Sequence, residues 1–306
     1  MAGMVDWLTP ASRMPWPVTA PFRMRPNLEK LDPVAPALLL RDELADVYRC
    51  ERERVIKAHR ERAMVGTPHD AVLAEIRGLA PSPLAGEGWG EGAMGGTHQV
   101  NSASHATPHP NPLPQGERGQ NVVLAIQEDF VILIHEAETL RTEYLSVCFP
   151  SRWDPREKLG LDFAAIHAPV ADNQMLQAAG PSIMTMAFMK QPMLRYVWLV
   201  VPAASLDQHP EKNQAWWSEA LADPSPLLPR LYFRIERQTT WPLPHLQRAV
   251  FFIRLMVSPL VDVLDAMPGR AAELASSLRS MTPDIVAYRG MTDALPRLLA
   301  ELDQRN

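Results

Sequence analysis

A chain of 306 residues with 46% hydrophobic and 21% charged side chains can build one large core or two modest ones, which excludes global disorder. A formal net charge of −5 argues against a nucleic-acid or anionic-membrane binder, which needs a basic surface. Two cysteines, Cys50 and Cys148, exclude a disulfide framework and a zinc or iron–sulfur set, and read as reduced thiols of a cytoplasmic protein.

The opening, MAGMVDWLTPASRMPWPV, has Asp6 and prolines where a signal peptide carries its apolar region. No stretch reaches the roughly 18 uninterrupted apolar residues that span a bilayer, so no membrane segment is expected. A helix is predicted over Pro36–Ala63, where apolar and charged positions mix and Glu53 and Lys57 stand four apart. Cys50 falls among these charges and reads as a surface residue. A second, shorter helix is predicted over Asp70–Leu79. Residues 1–80 are expected to be a helical segment packed on a main domain.

Residues 81–119 break with their surroundings. Eight of the chain's 15 glycines and six of its 30 prolines fall there, so neither helix nor strand can run through. Gly86, Gly88, Gly90 and Gly92 do not make a phosphate loop, because no Gly-Lys-Ser/Thr follows and Glu87 and Glu91 would repel phosphate. His98, His105 and His109 lack the acidic or thiol company of a metal site. Back-translated with GC-rich codons and read in reverse complement, His109–Gly119 spells PSPLAGEGWGE, the sequence that opens the segment. The two ends look like arms of one inverted DNA repeat inserted in frame at a tolerant surface loop. Disorder without function is the expectation for 81–119.

Residues 120–306 then form the main domain. Strands are predicted at Phe130–Ile134, Tyr144–Phe149, Leu194–Val201, Leu231–Thr239 and Ala249–Val257. A helix over Asn173–Met189 separates the second from the third, and a looser segment with Trp216 and Trp217 precedes the fourth. Helices are predicted at Pro259–Met267, Gly269–Ser280 and Thr292–Asp303. The short connections favour antiparallel pairing, giving an α+β domain around a central antiparallel sheet.

Charge inside the apolar strands is the most informative local feature. Arg254 is flanked by Val250–Ile253 and Leu255–Val257, and a guanidinium buried there needs an anionic partner: Glu236 or a bound carboxylate. Arg234, Glu236 and Arg237 interrupt the strand before it. No hydrolase elbow, zinc-protease helix or dinucleotide fingerprint is present, and Cys148 reads as core. Of the histidines outside 81–119, His135 and His245 read as exposed. His167, in LDFAAIHAPV, reads as sheltered, and on local chemistry a core role outweighs ligation.

Several segments taken together resemble the haem-dependent oxidative N-demethylase family. These are PFRMRPNL near the start, QEDFVIL at Gln127–Leu133, CFPSRWDPREKLGLDFAAIHAPV at Cys148–Val170, FRIERQTTWPLP at Phe233–Pro244, FFIR and MTPDIVAYRG. The resemblance implies a PAS-like five-stranded antiparallel sheet with flanking helices that enclose haem b. It also implies oxidative removal of an N-methyl group from a small secondary amine such as dimethylamine, with dioxygen consumed and formaldehyde released. Electrons would come from partner reductase subunits carrying flavin and an iron–sulfur cluster. One departure stands out: the family's Arg-x-Asn-Trp reads Arg195-Tyr196-Val197-Trp198 here, which removes an amide that could bond substrate or haem.

On that resemblance His167 is the expected axial ligand to iron. Arg234, Arg237 and Arg254 are candidates for the haem propionates, since guanidinium forks match carboxylates, although any of them could pair with Glu236 instead. Tyr196 and Trp198 could hold a cationic amine against their rings. The rival expectations are a non-catalytic haem or gas sensor and an inactive scaffold relative.

Overall fold

The computed structural model describes residues 6–31, 38–80, 122–136, 139–212 and 216–305. The predicted insertion at 81–119 lies outside these residues, as do the first two residues of the predicted Pro36–Ala63 helix. Seven strands are present among the described residues: β1 (Glu29–Lys30), β2 (Met64–Gly66), β3 (Asp129–Glu136), β4 (Thr139–Ser146), β5 (Met193–Val201), β6 (Tyr232–Leu243) and β7 (Arg248–Pro259). They form one antiparallel sheet in the order β1-β5-β6-β7-β3-β4-β2. With the helices below, this is an α+β fold.

The five predicted strands are the five long ones, but the sheet is not five-stranded. Residues before 81 add β1 and β2, each too short to carry an alternating pattern. β4 also starts earlier than expected, because its buried Leu140 and Thr142 alternate with exposed Thr139 and Arg141. The predicted strand end, Cys148 and Phe149, has left the sheet. Their N–H groups donate to the Asp129 carboxylate at 2.9 Å each. Gly66 closes β2 at φ +89°, where a side chain would collide with the Glu143 carbonyl.

Helix α1 (Ala45–Ala63) begins at Ala45, later than predicted, and α2 (Asp70–Leu79) matches its prediction. Their apolar faces, with Tyr48, Val55, Ile56, Val72 and Ile76, pack with Phe130, Ile132 and Phe252 of the sheet. Helices Leu260–Asp265, Arg270–Arg279 and Leu295–Asp303 lie close to their predicted spans. The short helix Pro283–Tyr288 was not anticipated, and Trp216–Ala222 is helical where a looser segment was expected. These C-terminal helices bury Leu264, Leu274, Leu278 and Leu298 with Trp198, Phe233 and Ile235. No helix among the described residues is long and apolar enough to cross a membrane.

Three residues tie α1 and the N-terminal segment to the sheet and the turn before it. Arg52, fully buried, donates to Asp129 Oδ1 at 2.7 Å and to the Gln127 carbonyl at 2.8 Å. Past the start of β3, one edge of β7 has no strand beside it among the described residues. There the Thr9 N–H donates to the Val257 carbonyl at 2.7 Å and the Tyr48 hydroxyl to the Leu255 carbonyl at 2.8 Å.

Arg52→Ala leaves Asp129 buried without its counter-charge and is expected to cost about 3–5 kcal/mol; urea unfolding checks this. Tyr48→Phe removes one buried hydrogen bond and is expected to cost about 1–3 kcal/mol, since the Leu255 carbonyl is left unpaired.

Candidate functional site

His167 closes α3 (Phe163–His167), a single turn fixed at both ends by side chains. Asp162 Oδ1 accepts the Ala165 N–H at 2.9 Å. At the other end, Asn173 Nδ2 donates to the carbonyls of His167 at 2.9 Å and Ala168 at 3.1 Å. Gln177, from α4 (Gln174–Thr185), donates to the Ala164 carbonyl at 2.9 Å. The Phe163 ring lies against the imidazole with centroids 4.1 Å apart, and it packs on Gly180 so closely that a side chain there would have to displace it.

This setting assigns the imidazole tautomer. His167 Nδ1 lies 2.8 Å from the Phe163 carbonyl oxygen, which can only accept. Nδ1 therefore carries the hydrogen, and Nε2 keeps its lone pair. Burial holds the His167 pKa below the ordinary 6.5. The Phe163 bond works against that effect, and the positive charges of Arg195 and Lys158 add to it.

The period of two along β5 and β6 sorts the remaining candidates onto two faces. Arg195 lies opposite Gln238, and Val197 opposite Glu236, so these four share one face with Arg234. Tyr196 lies opposite Arg237 and Trp198 opposite Ile235, on the other face. Arg195 is the one whose charge reaches His167.

On the Arg195 face the polar groups form a chain. Arg234 Nε donates to Ser151 Oγ at 2.9 Å, and Ser151 Oγ donates to Glu236 Oε1. Gln238 Nε2 donates to Glu236 Oε2 at 2.7 Å. Arg234 also donates to the carbonyls of Phe149, Ser205 and Leu206 at 3.0, 3.1 and 2.9 Å, and it is fully buried. Arg195 makes no hydrogen bond or ion pair among the described residues, and its Nε is buried. Burial lowers its pKa, and Glu236 opposes that through space.

The other predicted residues do not join His167. Arg237 and Arg254 face each other across β6 and β7, like charges that their neighbours must separate. Arg254 pairs at 2.8 Å with Asp42, not with Glu236, and lies 4.0 Å over the Tyr48 ring. Arg237 donates to the Leu38 carbonyl at 3.2 Å. The Trp198 ring already has a cation, with the Arg289 guanidinium 4.7 Å from its centre. Tyr196 packs beside it in the C-terminal core. His245 is exposed beside Glu75, and His135 sits in β3. Cys148 is core, its thiol pushed up to about 12 by burial.

Sequence reasoning overlooked Arg195, Ser151 and Gln238 as site residues. Strand alternation was the available signal, since it makes Arg195 the lone charge beside Val197 and Leu199. A second cluster, Asp154, His209 and Glu211, brings its ligand atoms within 4.8 Å of one another. Arg156 already bonds both carboxylates there, and the His209 Nδ1 accepts the Glu211 N–H at 3.2 Å.

No curated protein matches this chain. The family model described as haem-dependent oxidative N-demethylase, alpha subunit-like, matches residues 97–299, about two thirds of the chain. That span holds His167, Arg195 and Glu236 together with the five long strands, and the chain belongs to this family.

Proposed function

We propose that this chain is the haem-binding subunit of an oxidative N-demethylase, in which His167 Nε2 would hold the iron of haem b. The observation that carries this is the imidazole itself: partly buried, neutral, its Nδ1–H spent on the Phe163 carbonyl and its Nε2 lone pair free. Arg195, an unpartnered guanidinium on the same side of the sheet, suits a group that brings its own carboxylates. The residues present therefore fit haem. A PAS-like core is supported by the continuous run of five long antiparallel strands, with helix α4 covering one face.

When bound, haem supplies the oxygen chemistry that no side chain offers. The overall reaction takes a secondary amine such as dimethylamine, one dioxygen, two electrons and two protons to the primary amine, formaldehyde and water. The chain's own residues bind and orient. Asp162, Asn173 and Gln177 hold the His167 turn in place. Ser151 and Gln238 fix the Glu236 carboxylate in one orientation on the Arg195 face of the sheet, where it can receive an N–H donor. The electrons fall to partner reductase subunits with flavin and iron–sulfur groups, in keeping with the family's description as an alpha subunit. A cytoplasmic setting suits the free thiols Cys50 and Cys148.

Protein loaded with haem should show a stoichiometric Soret band, and formaldehyde should appear with dimethylamine and a surrogate reductant. His167→Ala should abolish or strongly shift that band; an unchanged spectrum would remove His167 as ligand. Protonation of Nε2 destroys the lone pair, so haem affinity should fall as pH drops. Because the His167 pKa is lowered, that fall should begin below the ordinary imidazole value of 6.5. Spectral titration across that range measures it.

A further inference from the structure

Arg195 stands apart from the other buried or partly buried arginines. Arg52, Arg62, Arg234, Arg237, Arg254 and Arg270 each donate to a protein acceptor. Arg289 has no such bond, but its guanidinium lies 4.7 Å from both the Phe22 and the Trp198 rings. Arg195 has neither acceptor nor ring among the described residues, and its Nε is out of contact with solvent. The nearest anion, Glu236, is held by Ser151 and Gln238 and acts on Arg195 only through space. The Arg195 Nε is therefore left without an acceptor, while the two terminal nitrogens of this part-buried side chain stay open to an incoming one. Its planar fork of donors matches a carboxylate in two parallel bonds.

We propose that Arg195 receives a carboxylate brought beside His167 by a bound molecule, either a haem propionate or the acid group of an N-methylated amino acid. This rests on the haem reading above. The two sources share one chemistry and differ in what removal of Arg195 takes away. If the propionate is the partner, affinity for the cofactor falls. If the substrate acid is the partner, the cofactor stays and recognition of acidic amines is lost. In either case the apoprotein gains nothing from Arg195, so its removal leaves the fold intact.

The experiment titrates wild type, Arg195→Gln and Arg195→Lys with haem and with haem dimethyl ester, whose propionates are blocked, following the Soret band. The haem-loaded proteins are then titrated with dimethylamine and with N-methylglycine. Thermal melting of the three apoproteins is measured alongside. A propionate partner predicts that wild type prefers haem to its diester by roughly ten- to hundredfold. Arg195→Gln then loses that preference, Arg195→Lys keeps only part of it, and melting is not lowered. A substrate partner predicts equal haem binding in all three proteins and a response to N-methylglycine that only wild type retains in full. Variants that match wild type in every titration, or whose only change is a lowered melting point, overturn the proposal. A wild type that takes up no haem overturns the functional reading with it.

Discussion

The candidate site depends on a cation with no carboxylate bonded to it. Arg234 is fully buried, and burial brings its pKa down to about 10, with Glu236 opposing. It still carries its proton at neutral pH, so its N–H groups must find acceptors. They find main-chain carbonyls on two separate loops, at Phe149 and at Ser205 and Leu206, and the hydroxyl of Ser151. One side chain of β6 thereby fastens the chain leaving β4 and the chain leaving β5 onto the same sheet face. Ser151 has one hydrogen, and since its oxygen already accepts from Arg234, that hydrogen goes to Glu236. The orientation of the Glu236 carboxylate thus follows from the burial of Arg234.

The fold class was legible in the sequence because the five long strands are rich in β-branched and aromatic residues, and the helices keep their amphipathic spacing. The buried nature of Arg254 was legible too, from the apolar residues on both sides. Its partner was not. Asp42 lies 212 positions away, in a segment without helix or strand, and no local pattern joins the two. The same limit hid β1 and β2, whose two and three residues gain meaning only from the strands beside them.

His167 was legible as sheltered but not as oriented. Its tautomer depends on a carbonyl one turn away, and the turn depends on Asp162 and Asn173, polar residues that in isolation look like ordinary loop. The arginines of β6 were not separable in the sequence for a different reason. Arg234 and Arg237 are neighbours in the chain and point to opposite faces, so their proximity in sequence separates them in space. Arg195 stood out in the sequence only as part of the Arg195–Trp198 motif and was given no site role, because a single arginine in a strand is usually a solvated residue. Its distinction is the lack of partners, which only the assembled sheet reveals.

The free edge of β7 sets a condition on the protein's solution behaviour. Val257 and Leu255 turn their carbonyls away from β6 past the start of β3, and among the described residues Thr9 and the Tyr48 hydroxyl occupy them. An uncovered row of strand carbonyls is a template for another chain. Loss of the residues around Thr9 would strip the Val257 carbonyl of its donor while Tyr48 still covers Leu255, so trimming would weaken this end of β7 by about 1–3 kcal/mol before it exposed a strand edge.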